Sequence, residues 1–281
     1  GFLAIKYRRM DADGHVCSGP FYYIEYGMGK KWKWLAKVFA FFGACVGLFG
    51  IGTFSQVNGI SSAVQAFFDP DKANTVSILG NDYSIAIVIT AFILAILVGL
   101  VVIGGIQRIS KVSQVIVPFM AVLYIVVCLV LIIVNINKVP AAFATIVKCA
   151  FKPMSFAGGV TASLAIAMQK GVARGIFSNE AGLGSALIAV AAAQTKEPVR
   201  QGLVTMTGTF IDTIIVCTMT GLSIVMMGSW QDGSLEGIAV TTDAFQKGLF
   251  FMTGQVAAFI LMICLVFFAI TTILGREYYG E

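Results

Sequence analysis

The sequence predicts an all-α polytopic membrane protein with about six spanning helices, and two observations carry that prediction. The first is composition. The chain is 58% hydrophobic and only 12% charged over 281 residues, with a mean hydropathy of +0.90. A soluble domain is about 45–50% apolar and about 25% charged, and disorder needs the opposite imbalance. The second is arrangement. The apolar residues fall in long runs of roughly the 20 residues needed to cross a bilayer, where a helix satisfies its own backbone groups. The short alternating segments of an outer-membrane barrel are absent.

Six segments meet the length requirement: Leu35–Phe68, Ile85–Ile106, Val115–Val134, Val160–Ala193, Leu203–Met227 and Leu249–Leu274. Turn chemistry separates them at Asp69-Pro70-Asp71, Gly80-Asn81-Asp82, Lys152-Pro153, Glu197-Pro198 and Gln231-Asp232-Gly233. With the N-terminal loop in the cytoplasm, twelve lysines and arginines fall inside and five outside. That excess is the one the positive-inside rule expects, although seven of the twelve come from a single loop. The chain opens on GFLAIKYRR, like the tail of a helix entering a basic loop, and stops at Glu281 just after an apolar run. A piece from the middle of a longer protein is therefore expected.

In the first span, Gly43, Gly47 and Gly50 allow close helix contact. Farther along, Gly52, Ser55, Gln56, Gly59 and Ala63 recur at helical spacing. This stripe reads either as a packing seam or as a face that turns the Gln56 amide toward a cavity. In the fifth span, Thr205, Thr209, Thr213 and Thr220 share a face beside Asp212. Threonines can bond a preceding carbonyl of their own helix. A carboxylate at membrane depth costs roughly 2.5–3.5 kcal/mol on insertion scales and needs a partner or water.

The fourth span, VTASLAIAMQKGVARGIFSNEAGLGSALIAVAAA, exceeds one straight crossing. Gly171, Gly175, Gly182 and Gly184 punctuate its middle, among Lys170, Arg174, Ser178, Asn179 and Glu180. Each glycine weakens a helix by about 1 kcal/mol relative to alanine. Unwound backbone is tolerated at that depth only against protein or a cavity. The pattern fits the discontinuous helix of a transporter, whose freed backbone groups hold substrate and cation, or else a re-entrant structural segment. Lys170, Arg174, Glu180 and Asp212 form either a structural ion network or part of a site.

Other chemistries are poorly served. His15 is the only histidine and lies in a loop, and no HExxH, aspartate-rich diphosphate motif or Ser/His pair occurs. No enzyme is expected. The net charge of +5 shows no basic cluster interleaved with exposed aromatics, so no nucleic acid is expected. The six cysteines are scattered without a CxxC, consistent with free thiols packing as small hydrophobes.

The string GVARGIFSNEAGLGSALIAVAAA closely resembles the signature of the alanine or glycine:cation symporter family, which is sodium-driven. SGPFYYIEYGMGKKWKWLAKVFAFFG, EPVRQGLVTMTGTFIDTIIVCTMTG and TTILGREYYGE resemble further family stretches in register. Thr53, Gly59 and Arg276 depart from the family's usual Asn, Ser and Trp. The resemblance implies a LeuT-type fold of two inverted five-helix repeats. The chain would then be a single transmembrane domain over residues 1–281, running from the tail of the second core helix through the eighth.

It also implies sodium-coupled symport of a small neutral amino acid, alanine or glycine, by alternating access. The protein would be a multi-pass monomer in the cell's inner (plasma) membrane, with the lipid bilayer as its surroundings. Phe177, Ser178 and Asn179 match the unwound substrate segment, Gly182 and Gly184 its joints, and Gln56 a polar substrate position on the third core helix. Thr271 and Thr272 match a hydroxyl pair that holds one sodium ion. Sodium is the coupling ion and no further cofactor is implied. A channel-like or structural membrane subunit without coupled transport is the alternative, though one broken helix suits alternating access better than a repeated pore filter.

Overall fold

A computed structural model describes residues 1–11, 16–48, 53–70, 73–78, 80–151, 165–166, 168–173, 175 and 184–277. Four described helices are long and apolar enough to cross a membrane: Ile85–Val102, Lys111–Val134, Pro198–Met227 and Gly254–Gly275. They overlap the second, third, fifth and sixth predicted spans. The first predicted span is occupied by two helices of 16 residues each, Lys33–Leu48 and Thr53–Phe68. Most of the fourth predicted span lies outside the described residues.

Local chemistry accounts for the boundaries. The Ser84 hydroxyl caps the Ile85–Val102 helix by accepting from the Ala86 N–H at 3.3 Å. The same hydroxyl donates to the buried Asp69 carboxylate at 2.5 Å, whose other oxygen accepts from the Ala73 N–H at 2.9 Å. The intervening Thr75–Ile78 and Asn81–Ser84 strands pair antiparallel through a turn at Gly80. The last long helix begins at Gly254 rather than Leu249 because residues 249–253 turn out of the preceding Ile238–Gly248 helix. The predicted span takes in residues 249–253 because Leu249, Phe250, Phe251 and Met252 continue its apolar run.

The chain divides into two compact units. One draws on Gly1–Ile51 and Lys152–Thr218; the other on Gly52–Phe151 and Met219–Tyr278. The second has an apolar core of Cys128, Leu131, Phe245, Leu249, Ala257 and Leu261, contributed by three helices and the turn after one of them. Asn135, 7% exposed, donates to the carbonyls of Leu131 at 2.9 Å and Gly248 at 2.8 Å. A side chain at Gly248 would stand 2.6 Å from Leu131 Cγ, so only glycine allows this approach. A second cluster joins Ile60, Leu94, Ala269 and Ile273.

In the first unit, the described ties are mainly polar. The Arg8 guanidinium donates to the carbonyls of Ala191 at 3.2 Å, Ala193 at 2.7 Å and Thr195 at 2.6 Å. These are carbonyls at and beyond the end of the Ala186–Ala191 helix, which have no intrahelical donor. Ser18 donates to the Ala4 carbonyl at 2.8 Å, and Lys33 pairs with Glu25 at 2.8 Å.

Candidate functional site

Thr271 and Thr272 lie near the end of the Gly254–Glu277 helix. Thr271 is 9% exposed and Thr272 half-buried. The Thr271 hydroxyl is within reach of the carbonyls of Phe267 at 3.0 Å and Phe268 at 2.9 Å, and the Thr272 hydroxyl donates to Phe268 at 2.9 Å. This back-bonding does not exclude a cation. A hydroxyl has one proton and two lone pairs, so donating the proton leaves the lone pairs to accept. Oxygen donors of this kind suit a hard cation. Met120 Sδ is 3.9 Å from Thr271 Oγ1, a neighbour that the sequence did not announce because it lies on another helix.

Packing shows what else lies at this level. The Phe67 and Phe259 rings are 5.4 Å apart, while Ile60 and Val57 pack with Ala269 and Ile273. The Thr53–Phe68 and Gly254–Glu277 helices therefore run antiparallel, and the Gln56 end of one is level with the Thr271–Thr272 end of the other. Gln56 is half-buried, and its amide makes no hydrogen bond among the described residues. Three of the predicted site residues are thus brought to one end of one helix pair. Higher in the same seam, a cavity of about 40 Å³ is lined by Ala63, Phe67, Thr242, Gln246 and Met262, among others. It has room for about one water molecule.

Gly184 is described, in the other unit. Its φ of +73° is left-handed, two residues before the Ala186–Ala191 helix begins. A side chain there would stand 2.8 Å from Pro20 Cγ. Phe177, Ser178, Asn179 and Gly182 fall outside the described residues, as do Arg174 and Glu180. Lys170 is exposed. Asp212 is half-buried in a π-helical stretch, Phe210–Val216, where Thr213 Oγ1 donates to its carboxylate at 3.4 Å. Single π turns inside α-helices recur at functional positions.

The threonine stripe divides by partner. Thr205 and Thr209 bond the carbonyls four residues back, at 2.9 and 3.2 Å. Thr220 instead meets the Tyr124 hydroxyl at 2.6 Å. No group of three or more His, Cys, Asp or Glu side chains that could hold a metal occurs among the described residues. A cation here would depend on hydroxyl, amide and backbone oxygens. An open hollow of about 460 Å³ lies along residues 193–201, away from the Thr271–Thr272 pair in the chain.

The model of the sodium:alanine symporter family matches residues 1–281. An uncharacterized transporter of Haemophilus influenzae is 52% identical over 280 residues, covering 99% of this chain and 57% of that protein. The sodium/alanine symporter AgcS of Methanococcus maripaludis is 45% identical over 287 residues, covering 99% and 57%. A protein named as the probable sodium/glutamine symporter GlnT of Bacillus subtilis is 37% identical over 280 residues, covering 99% and 53%. The chain thus spans about half the length of the curated relatives it matches.

Proposed function

The chain belongs to the sodium:alanine symporter family, and we propose that it works in sodium-coupled symport of a small neutral amino acid, alanine or glycine, by alternating access in a LeuT-type bundle. It is a multi-pass protein of the plasma membrane. The observation that carries the functional reading is the family match from the first residue to the last. The placement of Gln56 level with the Thr271–Thr272 pair supports it.

On this reading, Thr271 and Thr272 give hydroxyl oxygens to sodium and backbone carbonyls complete its shell. Gln56, Phe177, Ser178 and Asn179 contact the amino acid, and Gly182 and Gly184 let the broken helix articulate. Sodium and amino acid then raise each other's affinity by the same factor, as linkage requires. The transporter acts as a monomer.

The test is uptake by the full-length protein in proteoliposomes with an imposed sodium gradient, using labelled alanine, glycine and glutamine. Glutamine is included because a relative's name carries it. Saturable, sodium-dependent accumulation of alanine or glycine above the outside concentration is the expected result. The double substitution Thr271→Val with Thr272→Val keeps volume and removes both oxygens. It should raise the sodium concentration for half-maximal uptake by roughly tenfold or more, a loss of at least about 1.4 kcal/mol of ion binding. An unchanged sodium dependence would place the cation elsewhere, and flux that only equilibrates would favour a channel.

A further inference from the structure

The segment from Gly29 to Leu48 carries features that symport does not use. Gly29, with a φ of +96°, opens a single 3-10 turn at Lys30–Trp32, which runs directly into the Lys33–Leu48 helix. The Trp32 and Trp34 rings stack at 6.5 Å and 25°, and both are exposed, at 42% and 60%. Lys30, Lys31, Lys33 and Lys37 are all exposed around them. Lys33 is paired with Glu25. Lys30, Lys31 and Lys37 make no ion pair among the described residues. Beyond this cluster the helix continues from Val38 to Leu48 for about 16 Å, at about 1.5 Å per residue, with Val38, Phe41, Phe42 and Leu48 exposed.

Lys30 and Lys31 come first, then the stacked indoles with Lys37 about one turn beyond Trp34, then exposed apolar side chains. This sequence of chemistries follows the layers of a bilayer leaflet from phosphate to acyl chain when the long Lys37 stem reaches back to the headgroups. Indoles prefer the headgroup level, because the ring body is apolar and its N–H is a donor. Ammonium groups on flexible stems reach outward to phosphate. The orientation expected from the loop charges puts the segment on the cytoplasmic side, the leaflet whose anionic lipids attract juxtamembrane lysines.

We propose that Lys30, Lys31 and Lys37, set around the Trp32–Trp34 stack, form a docking surface for the phosphate headgroups of anionic phospholipids. Lys33 is held by Glu25, so the selective charge comes from the other three lysines. The indoles fix the depth and the lysines fix the headgroup preference. The proposal stands apart from the transport reading, since it concerns the bilayer as ligand.

Quenching by brominated lipids tests it directly. The full-length protein, with every tryptophan except Trp32 and Trp34 changed to phenylalanine, is reconstituted into phosphatidylcholine bilayers. Brominated phosphatidylglycerol or brominated phosphatidylcholine is then titrated in and indole fluorescence is followed. Phosphatidylglycerol is expected to reach half-quenching at a mole fraction lower by at least about threefold. The variant Lys30→Gln, Lys31→Gln, Lys37→Gln should lose that preference while phosphatidylcholine still quenches, which shows that the indoles remain in lipid.

Equal quenching by the two lipids in the unsubstituted protein would overturn the proposal. So would a preference that survives the triple substitution, or no quenching by either lipid. Loss of the preference on adding inorganic phosphate at constant ionic strength would assign the lysines to a soluble anion and overturn it as well.

Discussion

In the unit drawn from Gly52–Phe151 and Met219–Tyr278, helices meet through buried apolar clusters: Phe245 and Leu131 in one, Ile60 and Ile273 in another, Leu222 and Met226 in a third. In the unit drawn from Gly1–Ile51 and Lys152–Thr218, the long-range hydrogen bonds described run from side chain to backbone, with Arg8 on three carbonyls and Ser18 on one. The difference follows from what each region must satisfy. Helices packed within a bilayer already satisfy their own backbone, so close fit between side chains holds them together. A segment that leaves helical geometry, as this chain does after Ala191, frees carbonyls that need donors. Polar ties therefore gather where the helix stops, and apolar ties where it continues.

Substitutions at three positions would break or sharpen that comparison, each measured as thermal unfolding of the purified full-length protein in one detergent. Phe245→Ala has the largest expected effect. The ring is fully buried and stacks on Tyr124 at 5.9 Å, so a loss of about 3–5 kcal/mol is expected. Arg8→Gln comes next, at about 2–4 kcal/mol. The amide cannot reach all three carbonyls, and hydrogen bonds from a charged donor contribute about 1.5–3 kcal/mol each. Arg8→Lys should recover only part of the loss, because an ammonium lacks the planar fork. A full recovery would mean that charge, not the span of the fork across three carbonyls, holds the segment.

Gly184→Ala should be smallest, at about 1–2 kcal/mol, from a left-handed φ and a methyl pressed on the Pro20 ring. If Arg8→Gln leaves the unfolding midpoint unmoved while Phe245→Ala lowers it, the polar ties are incidental and the contrast between the units fails.

Much of the fold was legible in advance. The Ile85–Val102 and Lys111–Val134 helices follow from hydropathy alone, because a single continuous apolar segment satisfies its own backbone in hydrocarbon only as a helix. The candidate site was legible at Thr271 and Thr272 only through resemblance. Two hydroxyls in an apolar helix read equally well as ordinary back-bonded threonines, and each does bond a carbonyl of its own helix. The pairing of Gln56 with that end of the helix was not legible, since a stripe of small residues does not name the helix it faces.

The sequence by itself determined that this chain is helical and membrane-spanning, and which family it belongs to, because span length, apolar run and motif are local properties. Only the tertiary structure decided that Asn135 bonds Gly248, 113 residues away, that Arg8 clasps carbonyls more than 180 residues distant, and that Met120 stands beside Thr271. Hydrogen bonds and close packing depend on which helices become neighbours. That choice is made by the fit of whole helix faces, which no single segment of the sequence contains.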